Sequence, residues 1–318
     1  MLSIREWASN LAGVAERPQW IDLIDPTEED LRKNLPRGVR PTALTALLAP
    51  HVHDDEPRPR IESHGDYVLG VFLLPVEVPA EDRLYYQEVD FIVTKDTLIS
   101  VSKTPPGEQP FDPQIAKDAC RPDDPVGMFV YHLIDEIAER YLDLIDDLDD
   151  EIDELEDMVA VKSTSVVGHR LRELREDVRG IRRTLAPSRD AIRKIVDDRI
   201  ELDEGEGELF PRDVEIAFGD AFDKFLRASE ALESSRDALG SVRDYLQGKI
   251  SLDQNEVMKR LTVVASLLLV PTFIVGLYGQ NFHHIPELSW SFGYWWSWGW
   301  IIATTIAQLA FFRWKKWL

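Results

Sequence analysis

Asp244, Asn255, Met258, Thr262, Ala265, Leu269, Thr272 and Gly276 follow one another, after Asn255, at steps of three or four residues. The stretch they occupy ends on Tyr278-Gly279-Gln280-Asn281-Phe282. Such spacing puts side chains on one face of a helix. This face is smaller and more polar than the Val263/Val264/Leu267/Leu268/Val270 surface beside it. The chemistry it offers is ion coordination. An acid and an asparagine at one end, apolar residues in the middle and an asparagine at the other would form stacked rings if copies of the chain surround an axis. Polar rings hold a cation, and an apolar constriction gates it. Small and polar faces also serve plain helix–helix packing in membranes, and periodicity alone leaves both readings open.

The elements that must carry this face are apolar. The runs Leu261–Tyr278 and Tyr294–Phe312 hold no charged residue. Each approaches the roughly 20 residues a helix needs to cross a ~30 Å hydrocarbon core. Lys259 and Arg260 precede the first run, Arg313, Lys315 and Lys316 follow the second, and the turn between holds Glu287 as its full charge. The positive-inside rule places both termini in the cytoplasm and the turn outside. Trp290, Trp295, Trp296, Trp298 and Trp300 crowd the start of the second run, and Trp314 and Trp317 its end. Belts of this kind mark two membrane interfaces. The alternative is a buried hairpin in a large soluble protein, which requires neither basic nor Trp-rich ends.

The rest of the chain is different material. The net charge of -22 is uneven: residues 251–318 carry five basic and three acidic side chains, so about -24 falls on residues 1–250. An acidic surface of this size repels nucleic acid and gathers cations. A single cysteine, Cys120, excludes an internal disulfide framework and fits a reducing cytoplasm. Met1-Leu2-Ser3-Ile4-Arg5-Glu6-Trp7 lacks the apolar core of a signal peptide. Membrane insertion is therefore expected of the C-terminal runs.

Residues 1–124 read as a cytoplasmic α/β domain. Gln19–Leu23 predicts a strand and Pro26-Thr27-Glu28-Glu29-Asp30-Leu31 a capped helix start. Tyr67–Val76, Leu84–Val93 and Thr97–Ser102 predict neighbouring antiparallel strands. Prolines from Pro105 to Pro125 mark the exit. Residues 125–204 read as an antiparallel helical pair. The first helix has an apolar stripe and acids from Asp146 to Asp157, and after a turn near 163–168 the second returns dotted with arginine. The acids form either a solvated face or a reservoir of divalent ions near a pore. A flexible break follows at Glu204-Gly205-Glu206-Gly207-Glu208. Residues 212–278 predict a single stalk helix continuing into the first membrane span, with Ile216, Phe222, Leu226, Leu232, Leu239, Val242 and Leu246 as its apolar period. Such a helix would be near 100 Å long and needs partners, most simply copies of itself. Residues 279–293 form the outer loop, 294–313 the second span and 314–318 a basic tail.

Tyr278-Gly279-Gln280-Asn281-Phe282, followed by Ile285-Pro286-Glu287-Leu288-Ser289-Trp290, resembles the pore-mouth signature of the CorA family of magnesium transport proteins. Asn255-Glu256-Val257-Met258-Lys259, the acidic Asp149-Asp150-Glu151-Ile152-Asp153 and the closing Lys315-Lys316-Trp317-Leu318 are also similar to that family. The resemblance implies an α+β cytoplasmic domain, a long helical stalk and a two-helix transmembrane hairpin, assembled as a funnel-shaped homopentamer in the cell membrane. Mg²⁺, and with it Co²⁺ or Ni²⁺, would pass down its gradient through the first spans, gated by cytoplasmic Mg²⁺, without nucleotide or organic cofactor. Gly279, Gln280 and Asn281 would form the outer selectivity ring. Mg²⁺ holds water at about 2.1 Å and dehydrates reluctantly, so amide oxygens and carbonyls would take up the hydrated ion. Asn255 would add a second polar ring and Asp244 an acidic one. Met258, Leu261 and Leu269 are candidates for the constriction, and Thr262, Thr272 and Gly276 line the same path.

Two departures stand out. Gln280 replaces the family's usual methionine. At the regulatory site the resemblance places Asp220 on the stalk acid, but Thr45-Ala46 where an acid pair belongs. His51, His53, Asp54, Asp55 and Glu56 lie a few residues on and could substitute, or belong to a solvated loop. A zinc transporter of the related branch is the rival reading, since His283-His284 at the mouth would suit Zn²⁺. A membrane-anchored enzyme is disfavoured by the lack of a phosphate-binding glycine loop, a Walker lysine or a catalytic Cys/His set.

Overall fold

The computed structural model describes residues 5–7, 18–36, 38–51, 56–78, 83–202, 208–281, 283 and 285–317. Asp54, Asp55, most of the expected break at 204–208, Phe282 and His284 lie outside them. The chain divides into two compact units, Met1–Val242 and Arg243–Leu318.

In chain order the first unit contains β1 (Arg5–Trp7), β2 (Gln19–Ile24), α1 (Glu28–Asn34), α2 (Pro41–Leu48), β3 (Arg60–Ser63), β4 (Val68–Val78), β5 (Arg83–Val93), β6 (Thr97–Ser102), α3 (Gln114–Ala119), α4 (Val126–Val161) and α5 (Thr164–Val196). Helix α6 (Arg212–Tyr278) belongs to both units, and α7 (Gly293–Trp314) to the second. The six strands form one sheet in the order β1-β2-β6-β5-β4-β3. β4, β5 and β6 are antiparallel neighbours, as their spacing predicts. β2 runs parallel to β6, a pairing that needs a crossover and that no local pattern announces.

Both faces of the sheet are covered, which is why β4 reads as a nearly continuous apolar run. Leu23, Leu69, Ile92, Ile99 and Val101 pack under Leu31 of α1 and Ala43 and Leu47 of α2. Thr27 closes a capping box with Asp30 at the start of α1. On the other face α4 lies over the strands, with Trp20 stacked on Phe129 and the Tyr141 hydroxyl donating to the Leu73 carbonyl at 3.1 Å. Gly70 leaves room for the Phe91 ring, which a Cβ at 70 would meet at 2.1 Å.

The turn between α4 and α5 is Lys162-Ser163, so residues 164–168, expected in that turn, are already helical. α5 returns antiparallel, with Arg170 paired to Glu151 at 2.8 Å. Within the first unit α6 runs parallel to α4, joined through Tyr131–Phe218, Lys224–Asp135 (2.6 Å), Tyr141–Phe225 and Ser235–Asp149 (2.5 Å). Its buried face is Val214, Phe218, Ala221, Phe225, Ala228, Leu232, Ser235, Leu239 and Val242. Those positions alternate steps of four and three, the seam of a coiled coil. The period expected from the larger apolar residues is therefore partly wrong: Ile216 is 58% exposed and Phe222 and Leu226 are half-buried. Small Ala221, Ala228 and Ser235 take the seam because they let the helices approach.

Candidate functional site

In the second unit α6 continues to Tyr278 with Pro271 inside it. Among the described residues it is the one helix long and apolar enough, by composition, to cross a membrane, and almost none of its apolar window is buried. Leu261, Leu269 and Phe273 are 59%, 70% and 68% exposed. This surface requires a covering that a single chain does not supply. By hydropathy alone α7 falls short of the expected second span, because Trp, Tyr, Ser, Thr and Gln dilute its Ile, Leu and Phe.

The candidate ion-path residues sit on this helix and its end. Asp244 is exposed and paired with Arg243 at 2.8 Å. Asn255, Met258, Leu261, Thr262, Leu269 and Thr272 are exposed, and a Cβ at Gly276 would meet nothing. Met258, Leu261, Thr262, Leu269, Thr272 and Gly276 fall within roughly 100° of arc at 3.6 residues per turn, and buried Val263 lies about 100° beyond the edge of that arc. The hydroxyls of Thr262 and Thr272 donate to the carbonyls of Met258 (2.8 Å) and Leu268 (2.6 Å). Their protons are thereby satisfied within the helix, and the oxygens keep lone pairs for an outside donor such as a hydrated ion's water.

The turn expected to form the mouth is built by helix termination. The Gly279 N–H donates to the Val275 carbonyl at 2.9 Å and the Gln280 N–H to Leu277 at 3.4 Å. A Cβ at Gly279 would stand 3.1 Å from the Val275 oxygen, so glycine fits this close turn. Gln280, Asn281 and His283 are exposed. Pro286–Ser289 forms a 3-10 turn closed by the Ser289 hydroxyl on the Pro286 carbonyl (2.7 Å). Gly293 then starts α7 so close to the half-buried Glu287 that a Cβ would lie 2.2 Å from the Glu287 carbonyl oxygen. Trp290, Trp296 and Trp300 stack edge to face beside this turn, and Lys315 lies over Trp314 at the other end of α7.

The regulatory candidates are in the first unit. Asp220 is exposed on α6, one turn before Lys224, which bridges Asp135 and Glu139 of α4. Burial, and then Asp135, raise the pKa of neighbouring Tyr131, with a smaller contribution from Asp220. Thr45 is exposed with its hydroxyl turned onto the Pro41 carbonyl at 2.9 Å, and the Ala46 carbonyl accepts from Lys103 at 2.8 Å. The Glu56 carboxylate is buried against Arg183 at 2.7 Å. Of the three acids that could substitute at the sensor, Glu56 is thus held in an ion pair, and Asp54 and Asp55 lie outside the described residues. Among the described residues no group of three or more His, Cys, Asp or Glu side chains is arranged to hold a metal ion. The acids of α4 are divided: Asp149 and Glu151 are bonded to Ser235 and Arg170, while Asp146, Asp147, Asp150, Asp153, Glu154, Glu156 and Asp157 face solvent.

Two polar groups escaped sequence reasoning. Gln308 of α7 donates to the Ser266 carbonyl of α6 at 3.1 Å. Its signal was available, as the sole side-chain amide in the charge-free run Tyr294–Phe312. Lys103, Glu88 and Asp90 form a buried charged cluster in the sheet, which no spacing rule flags.

The family model for CorA-like Mg²⁺ transporter proteins matches residues 15–316. The chain belongs to that family. A cobalt/magnesium transport protein CorA of Thermotoga maritima is 28% identical over 309 residues, covering 95% of this chain and 84% of that one. A CorA-family relative named cobalt/magnesium transport protein CorA, from Methanocaldococcus jannaschii, is 24% identical over 94% and 91% of the two chains. The fold is that of the complete CorA magnesium transporter structure from Methanocaldococcus jannaschii, with TM-score 0.77 at 21% identity over 98% and 95% of the chains. The full-length CmaX protein superposes with TM-score 0.68 at 20% identity, over 96% and 90%.

Proposed function

We propose that this protein moves hydrated Mg²⁺, and with it Co²⁺ or Ni²⁺, passively across the cell membrane. The observation that carries the reading is α6: one helix runs from an acidic unit into an uncovered apolar stretch and ends on Gly279-Gln280-Asn281. An apolar helix of this length is satisfied by lipid on one side and by copies of itself on the other. A homopentamer would turn the Asp244, Asn255, Thr262, Thr272 and Asn281 positions into rings around an axis, with Met258, Leu261 and Leu269 as the apolar constriction and Gly276 leaving width near the mouth. α7 would form the outer ring. Its tryptophans would lie at the interfaces, which accounts for its modest hydropathy, and the basic residues at both ends of the hairpin support a topology with both termini in the cytoplasm. Ion movement then needs no nucleotide and no organic cofactor.

Control by cytoplasmic Mg²⁺ would rest on Asp220 meeting a neighbouring copy. The donor set is poor: Thr45 and Ala46 bring no carboxylate, and Glu56 is committed to Arg183. Divalent affinity follows the number of charged ligands, so sensing here would need more Mg²⁺ than a site with several acids.

The test is flux into liposomes carrying the purified protein, ion by ion, without ATP. Mg²⁺ uptake inhibited by cobalt hexaammine, an imitation of a hydrated ion, is expected. A dependence on ATP, or robust Zn²⁺ flux with indifference to Mg²⁺, would overturn the assignment.

A further inference from the structure

Gln308 joins the two helices of the second unit at a particular place. Its Nε2 donates to the Ser266 carbonyl, 42 residues away in sequence, at 3.1 Å. Its Oε1 is buried and lacks a hydrogen-bond partner among the described residues. Pro271, inside α6, has no N–H to give to the Leu267 carbonyl four residues earlier, so the helix is weakest there. Ser266 is the residue just before Leu267. The glutamine therefore grips α6 in the turn next to the backbone hydrogen bond that Pro271 removes. The Ser266 carbonyl has two lone pairs and can accept from Gln308 in addition to its own helix. Leucine at 308 would fill similar space without burying an unsatisfied oxygen, so packing alone does not account for an amide here.

We propose that Gln308 is a positioning residue that clamps the Thr262–Leu269 segment of α6 to α7, so that bending at Pro271 moves Gly279-Gln280-Asn281 while the Thr262–Leu269 wall stays fixed. Its consequence for transport rests on the reading of α6 as the wall of the ion path; the clamp itself does not. Transmembrane polar side chains that bridge helices act this way because a freed backbone or side-chain polar group finds no water to replace its partner.

The experiment compares full-length wild type, Gln308→Leu and Gln308→Glu in lipid nanodiscs and liposomes. Amide hydrogen exchange of the Thr262–Leu269 segment reads the clamp, and exchange of the β4 and β5 strands serves as the control for folding. Gln308→Leu is expected to raise exchange in that segment roughly three- to tenfold, the effect of losing one interhelical membrane hydrogen bond. In liposomes its maximal Mg²⁺ uptake should fall at least about threefold, while the half-inhibiting concentration of cobalt hexaammine at the mouth stays within about twofold. Burial between α6 and α7 raises a carboxyl's pKa well above its ordinary value of about 4.3, and a protonated glutamic acid can donate the same bond, so Gln308→Glu should return both readouts toward wild type at about pH 5.5, whereas Gln308→Leu should not. The runs Leu261–Tyr278 and Tyr294–Phe312 carry no charged side chain to confound this titration. Unchanged exchange in Gln308→Leu, or equal behaviour of the Glu and Leu variants at low pH, would overturn the clamp. Wild type that takes up no Mg²⁺, with exchange still raised in Gln308→Leu, would remove the transport reading and leave the clamp standing.

Discussion

Asp90→Asn should make the first unit more stable as pH rises, relative to wild type. Asp90 is fully buried on β5, two residues from Glu88 on the same face. One lysine, Lys103, serves both: its Nζ is bonded to Glu88 and lies 3.1 Å from Asp90, and it also donates to the Ala46 carbonyl. Burial first, and then repulsion by Glu88, raise the Asp90 carboxyl to about 8, with Lys103 pulling the other way. The sign follows from proton counts. Between pH 3.8, the unfolded value, and about 8, native Asp90 keeps a proton that the unfolded chain has lost. Its contribution to stability is therefore whole below that window and is lost as pH climbs through it. Between pH 6 and 8 the loss is about 2 kcal/mol, or roughly 4–8 °C in Tm for a unit of this size. Asparagine imitates the neutral acid and does not titrate. The difference in Tm between Asp90→Asn and wild type should grow by that amount from pH 6 to pH 8, then level off. Thermal unfolding of the full-length protein in nanodiscs, followed by near-ultraviolet circular dichroism, measures it. A gap that is constant or shrinks over that range would refute the reasoning. As a companion, Lys103→Met leaves two buried acids without their cation and should cost about 3–5 kcal/mol.

In the proposed homopentamer Asn281→Ala would remove a polar ring while leaving the apolar hairpin intact, so assembly should persist and Mg²⁺ uptake in liposomes should fall at least about tenfold; normal uptake would make the turn a mere connector. Gln280→Met should change uptake less, and its effect reads out in the ratio of Mg²⁺ to Co²⁺ flux. Protection of α6 from limited proteolysis, titrated with Mg²⁺, should shift to higher concentration in Asp220→Ala, and superimposable titrations would remove Asp220 from sensing. Burial, and then Asp124, push the Cys120 thiol up to about 12, so at pH 8 its alkylation in the folded protein should be at least about 100-fold slower than that of free cysteine. Rapid labelling without unfolding would contradict that burial.

Patterns that depend on near neighbours were legible. The β4–β5–β6 meander follows from apolar runs separated by short turns, the start of α1 from Thr27 and Asp30, and the long α6 from an uninterrupted stretch ending at Gly279. The family was legible as a resemblance carried by a set of motifs, Tyr278–Phe282 with Ile285–Trp290, Asn255–Lys259, Asp149–Asp153 and the closing Lys315–Leu318, and the turn alone would have been a weak signal. The seam of α6 was misread in part, since Ala221, Ala228 and Ser235 are buried by the partner helices they admit, and a small residue carries no hydropathy signal of its own. The same cause hid the fate of Glu56. A glutamate beside a loop reads as solvated until α5 brings Arg183 to it across 127 residues.

The amino-acid order by itself determined the charge division of the chain, the apolar stretch of α6 and the amide-bearing turn, all of them consequences of composition and short-range spacing, and it carried the motifs that resemble the family. Only tertiary structure decided that β2 lies parallel beside β6, that two acids and one lysine share a dry pocket of the sheet, and that Gln308 meets Ser266 in the turn before Pro271. Each of these joins residues far apart in sequence. Their energies come from burial and hydrogen bonding that exist after the chain has closed on itself, and no local window of sequence contains them.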